Sequence, residues 1–132
     1  MFTKSSTGIT VTAEVHGIST PRAIHIHTNG DLGALDGTST GPHYNPEGNP
    51  HGLPGQGLHH AGDLGIIEDF LDGNAYYIYK IRSKPDFVLS DVIGRSVVVH
   101  ENLDHGNDPT CSNGNTTGAS GKRHYICVIG IP

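Results

Sequence analysis

Ten of the 132 residues are histidines, and most of them fall in patterns suited to a metal ion, for which imidazole is the commonest protein ligand. His25-Ile26-His27 sets two imidazoles two positions apart. On a strand, such residues point the same way, so both rings can face one ion. His43, His51, His60 and Asp63 follow in the stretch GPHYNPEGNPHGLPGQGLHHAGDLG. Three neutral imidazoles and one carboxylate make a closed tetrahedral zinc shell. His100 ends the apolar run Val97-Val98-Val99, where an inward side chain could join His25 and His27. Cys111 and Cys127 lack CxxC spacing and form no zinc motif by themselves.

The elements that must hold these side chains read as short strands and long loops. Ile9, Val11, Ala13 and Val15 alternate with Thr10, Thr12 and Glu14, a period of two with one wet face. Ala23–His27 alternates again, and strand signals return at Leu64–Ile67, Ala75–Ile81, Val97–His100 and Arg123–Ile131. Between them lie two stretches dense in Gly, Asn, Pro and Thr, at Asn29–Gly62 and Glu101–Lys122. Loops of that length inside one compact domain need an organiser, and metal ions would serve. No 12-residue segment carries a helical period. Low apolar content (34%) with 19 Gly and 8 Pro argues against a helical bundle. The expectation is one all-β domain spanning residues 1–132, with about six strands and two long loops.

Composition also narrows the partners. Net charge is −5, and the eight Lys and Arg residues are scattered without a basic stripe, so no nucleic-acid partner is expected. The longest apolar runs, Val97–Val99 and Ile126–Ile129, fall far short of the roughly 18 residues of a membrane span. Met1–Gly8 has no apolar signal core, so an uncleaved secretion signal is not expected.

GPHYNP, the HGLP after it, HAGDLG, GRSVVVH and the closing VIGI resemble the copper–zinc superoxide dismutase family. The resemblance runs from Gly8 to Ile131, and the spacings between the candidate ligands match as well. It implies a Greek-key β-barrel or sandwich that disproportionates superoxide to O2 and H2O2. Copper would then be held by His25, His27, His43 and His100, and zinc by His43, His51, His60 and Asp63. His43 would bridge the two metals as an imidazolate, which two flanking cations make possible near neutral pH. The resemblance further implies that Arg123 stands over the copper to receive a small anion. It makes Asp104 the carboxylate that ties His25 to His51 and fixes both rings. His59 is set aside in favour of His60 by the spacing to Asp63, and His16, His105 and His124 are expected at the surface.

The chain also departs from that family. Its resemblance begins near the third family strand, so the first strand and most of the second are expected to be missing, with Met1–Ser6 too short and polar to replace them. An opened sheet edge implies self-association, by a surface other than the usual dimer contact, where Asn29 replaces an aromatic. Gly37 and Ile126 stand where the family disulfide would have its cysteines. Cys111 and Cys127 are left as either a bridge or two free thiols. A cytoplasmic location is expected, with an extracellular one left open. The rival reading is a metal-binding protein without catalysis: a store, a chaperone-like domain or a decoy.

Overall fold

The structure, a computed structural model, describes residues 1–6, 8–71, 74–82 and 87–131. Eight strands occur among them: β1 (Phe2–Ser5), β2 (Gly8–His16), β3 (Arg22–His27), β4 (Asp63–Ile67), β5 (Asp69–Leu71), β6 (Asn74–Arg82), β7 (Ser96–His100) and β8 (Arg123–Val128). They form two antiparallel four-stranded sheets, ordered β1-β2-β6-β5 and β4-β3-β7-β8. The chain changes sheet after β2, β4 and β6, which is the sandwich form of the expected all-β fold.

The strand count exceeds the expected six because two short strands were not legible locally. β1 has one apolar residue among Phe2-Thr3-Lys4-Ser5, yet it pairs with β2 in the register Phe2↔Val11 to Ser5↔Gly8. Its strand character comes from that neighbour's ladder and not from its own pattern. β5 is three residues long and lies against the start of β6, with Asp69↔Tyr76 and Leu71↔Asn74 paired. The six strands expected from alternation all form.

Alternation decides the core. Ile9 and Val11 of β2 turn inward against Ile24 and Ile26 of β3, Leu64 and Ile67 of β4, and Val99 of β7. Tyr44, Phe87, Val92 and Ile129 close the ends of this cluster, and the Tyr77 hydroxyl donates to the Leu64 carbonyl. Among the described residues, helix is confined to single turns at Thr38–Thr40, Leu89–Val92 and Gly114–Thr117.

Both long loops are pinned to the strands by backbone bonds. The Tyr44 N–H donates to Ile26 O and the Gly62 N–H to Tyr44 O, each at 2.8 Å, which draws the first loop alongside β3. The Arg95 guanidinium lies 4.0 Å over the Tyr44 ring and donates to Thr28 O at 2.7 Å. In the second loop, the Glu101 N–H donates to Lys122 O and the Asn102 N–H to Ser120 O, both at 2.9 Å. The His51 N–H donates across to Asn115 O at 3.3 Å, joining one loop to the other.

The outer edges of β1 and β8 carry no further strand among the described residues. Between them the sandwich opens into an apolar cleft of about 960 Å³, lined by Val11, Val15, Val97, Val99 and Ile126 among others. Cys111 and Cys127 are free thiols, the first half-buried and the second exposed.

Candidate metal centre

β3 and β7 are paired neighbours, and on the face opposite the core, beneath the two long loops, they supply three imidazoles. His25, His27 and His100 are 0%, 1% and 3% exposed, an unusual depth for three histidines on adjacent strands. The first loop adds His43, which forms a bridge with His27 beside β3. Ring centroids of His25 and His43 stand 3.9 Å apart, and those of His27 and His100 5.3 Å.

Hydrogen bonds fix which nitrogen of each ring is left as a lone pair, because a carbonyl or carboxylate oxygen only accepts. His25 donates from Nε2 to Asp104 Oδ2 at 2.7 Å, leaving Nδ1. His27 donates from Nδ1 to Gly41 O at 2.7 Å, leaving Nε2. His100 donates from Nδ1 to Gly121 O at 3.2 Å, also leaving Nε2. The two Nε2 atoms of His27 and His100 then face each other at 3.2 Å, which is repulsive without a cation between them. Ligand atoms of His25, His27, His43 and His100 all lie within 4.8 Å of one another.

A second cluster surrounds Asp63, which is 0% exposed at the start of β4. His43 Nδ1 lies 3.0 Å from its Oδ1, His51 Nδ1 3.0 Å from its Oδ2, and His60 Nδ1 3.2 Å from its Oδ1. The carboxylate is held in place by the N–H groups of His60 and Gly52, at 2.9 and 3.2 Å. Asp104 Oδ1 accepts from His51 Nε2 at 2.9 Å, so one buried carboxylate spans His25 and His51.

Among the described residues, the buried ring nitrogens His25 Nδ1 and His43 Nε2 have no hydrogen-bond partner, and His51 Nδ1 and His60 Nδ1 face the Asp63 carboxylate alone, at 3.0 and 3.2 Å. Unsatisfied buried polar atoms are costly, and each demands a reason. Here the reason is shared, since all four sit among other donor atoms of the two clusters. A donor set of imidazoles alone suits copper, and imidazoles with one carboxylate suit zinc. The residues fit the two metals.

Proton affinities are bent accordingly. Burial, then the field of His43, holds His25 well below the ordinary imidazole range. Burial and His43 push His27 down to about 3, and burial takes His100 to about 4. His43 is lowered by burial, against the opposing pull of Asp63. His51 goes the other way: burial opposes its charge, but hydrogen bonds to Asp104 and Asp63 raise it to about 9. Burial would raise Asp63, yet its bonds to His43, His51 and His60 hold it far below the carboxylate range.

The cluster of His25, His27, His43 and His100 opens to solvent through a recess of about 250 Å³ whose lining includes His27, His43, His100, Thr117 and Arg123. Arg123, the first residue of β8, donates from a terminal nitrogen to Gly41 O and from Nε to Thr40 Oγ1, both at 3.0 Å. Its remaining N–H groups are not used by these bonds.

The structure thus brings together every residue singled out in the sequence: His25, His27, His43, His51, His60, Asp63, His100, Asp104 and Arg123. The tightest grouping around Asp63 takes in His25 with His43 and His51, with His60 beside it at 3.2 Å from the carboxylate. His16, His105 and His124 are exposed. His59 is buried and turned aside, donating from Nδ1 to His60 O at 2.7 Å. Gly118 carries no donor atom and escaped the sequence reading. A Cβ there would stand 2.2 Å from Asp104 Oδ1 and 2.6 Å from His51 Nε2. The Gly-rich second loop was the only signal for it.

Comparison with known proteins agrees with this geometry. The family model described as copper/zinc superoxide dismutase (SODC) matches residues 1–129. The chain is 37% identical over 110 residues to a superoxide dismutase (Cu-Zn) of Schizosaccharomyces pombe, covering 83% of this chain and 71% of that protein. It is 38% identical over 124 residues to a superoxide dismutase (Cu-Zn) of Claviceps purpurea, covering 92% and 80%. With the ligand clusters, the buried Asp104 bridge and the arginine at the recess, these matches make the chain a member of the copper/zinc superoxide dismutase family.

Proposed function

We propose that this chain disproportionates superoxide to O2 and H2O2 at a histidine-bridged copper–zinc centre. The observation that carries the reading is the convergence of the His25, His27, His43 and His100 ligand atoms beneath a recess that Arg123 enters. Copper, when bound, supplies one-electron exchange with superoxide, and zinc supplies a fixed charge at the second cluster. His25 Nδ1, His27 Nε2, His43 Nε2 and His100 Nε2 would hold the copper. His51 Nδ1, His60 Nδ1, Asp63 and the remaining nitrogen of His43 would hold the zinc. His25 has one lone pair, at Nδ1, which serves one metal only; this favours His60 as the third zinc imidazole. His43 lies between the clusters and lines the recess, so its Nε2 is placed to hold a proton and pass it to the peroxide product. Arg123 offers a permanent charge and a planar fork to the anion. Asp104 fixes the tautomers of His25 and His51 from behind.

The rival reading, a metal store, chaperone-like domain or decoy, leaves the Arg123 fork and the open recess without a use. Replacement of Arg123 separates the two. Arg123→Ile should cut turnover at least tenfold at unchanged copper content, with Arg123→Lys between Ile and Arg. Equal turnover in all three proteins would make the arginine a bystander.

The proposal extends to assembly and location. The cleft between β1–β2 and β8 is lined by apolar side chains, and Tyr125, Val128 and Ile131 are exposed around it. Apolar surface left in water forgoes roughly 25 cal/mol per Å², so covering the cleft favours association. A second copy, adding its own free β8 edge across a two-fold axis, covers this surface. Sedimentation over a concentration range should show a dimer dissociating on dilution; an active species that stays monomeric throughout would refute it. Among the described residues, no helix is long and apolar enough to cross a membrane. Two unpaired cysteines suit a reducing compartment, supporting a cytoplasmic location.

A further inference from the structure

The turn Gly37–Gly41 places a fully buried hydroxyl, that of Thr40, between Arg123 and the copper-side histidine His27. Thr40 Oγ1 donates to Gly37 O at 2.8 Å, which commits its one proton. Its lone pairs are therefore left to accept, and Arg123 Nε donates into one of them at 3.0 Å. His27 Nδ1 lies 3.3 Å from the same oxygen while donating at 2.7 Å to the next carbonyl, Gly41 O. That carbonyl also accepts from an Arg123 terminal nitrogen at 3.0 Å. Two consecutive residues thus hold two edges of one guanidinium and one edge of one imidazole.

We infer that Thr40 is a positioning residue for anion binding, its hydroxyl fixing the rotation of the Arg123 fork relative to His27. A single carbonyl contact at Gly41 leaves the guanidinium free to swing about that bond. The second contact at Nε removes this freedom and aims the unused N–H groups into the recess. Gly37 permits the arrangement: its φ of 74° turns its carbonyl toward Thr40, and a Cβ there would meet Arg123 Cδ at 3.0 Å. Valine matches threonine in shape and lacks the hydroxyl, so Thr40→Val keeps the packing and deletes the contact. Serine keeps the hydroxyl and loses only a methyl group.

This inference rests on the copper–zinc reading of the site, and the test separates the two. The copper- and zinc-loaded protein is titrated with azide, an anion probe followed by its effect on the copper absorption band. In parallel, the metal-free protein is treated with phenylglyoxal and the modification of Arg123 timed by peptide mapping. Thr40→Val should bind azide about tenfold more weakly at unchanged metal content, the scale of one charge-assisted hydrogen bond. It should also expose Arg123 to faster modification, and Thr40→Ser should restore both within about twofold. Azide affinity and modification rate unchanged in Thr40→Val would overturn the role of Thr40. So would a serine variant that behaves like the valine one. Failure of the unmodified loaded protein to bind azide would instead contradict the copper–zinc reading itself.

Discussion

Gly118 offers a sharp test of how the second loop supports the metal centre. It has φ +64°, and an added Cβ would sit 2.2 Å from Asp104 Oδ1, where ordinary contact begins at 3.4 Å. Gly118→Ala therefore requires a shift of about 1 Å, enough to break a hydrogen bond of 2.9 Å between Asp104 and His51. The left-handed backbone costs roughly 1–2 kcal/mol for any residue with a Cβ. Losing a bond to a charged group in the interior adds about 1.5–3 kcal/mol. The metal-free variant should thus be destabilised by about 2.5–5 kcal/mol, measured by urea unfolding. Zinc affinity, measured by competition with a chromophoric chelator, should fall about 10- to 100-fold as His51 loses its anchor. A double-mutant cycle isolates the cause. In an Asp104→Ala background, His51 is free to tilt away from the new methyl group, and the alanine should cost mainly its backbone strain. Costs that simply add in the two backgrounds would refute the claim that Gly118 acts through the Asp104–His51 bond.

His51→Ala should empty the zinc cluster while leaving copper bound, because His51 is outside the group formed by His25, His27, His43 and His100; zinc retained at full stoichiometry would exclude His51 as a ligand. The metal-free protein should be most stable near pH 6.5. Below that pH the unfolded chain protonates histidines that stay neutral when folded, and His27 (about 3) and His100 (about 4) alone remove roughly 2.7 kcal/mol per pH unit between about pH 6 and 5. Above it, the stability contributed by protonated His51 is lost as pH rises toward about 9. Urea midpoints at a series of pH values check both limbs, and a flat profile from pH 5 to 9 would contradict the assigned environments.

The strand part of the candidate centre was legible in the chain because His25, His27 and His100 lie on strands whose side-chain period is local, whereas His43, His51 and His60 come from the first long loop. His25 and His27 had to share a face once Ala23–His27 alternated, and both prove buried. Which nitrogen each ring offers was not legible. His25 presents Nδ1 and His27 Nε2 because their acceptors, Asp104 and Gly41, come from different loops. The same distance in sequence hid Thr40, whose hydroxyl meets Arg123 across 83 positions, and Gly118, whose missing Cβ makes room for Asp104. β1 was hidden for a related reason: Phe2–Ser5 is a strand by virtue of β2's ladder. The Cys111–Cys127 question, open from spacing, resolves to two free thiols.

The measurement that bears most directly on the central claim is superoxide consumption and metal content determined on the same purified, metal-loaded chain. One copper and one zinc per chain, with superoxide-consuming activity that scales with copper occupancy, is the result the ligand clusters and Arg123 predict. Full occupancy by both metals with superoxide decay no faster than its spontaneous rate would contradict the account and return the chain to metal binding without catalysis.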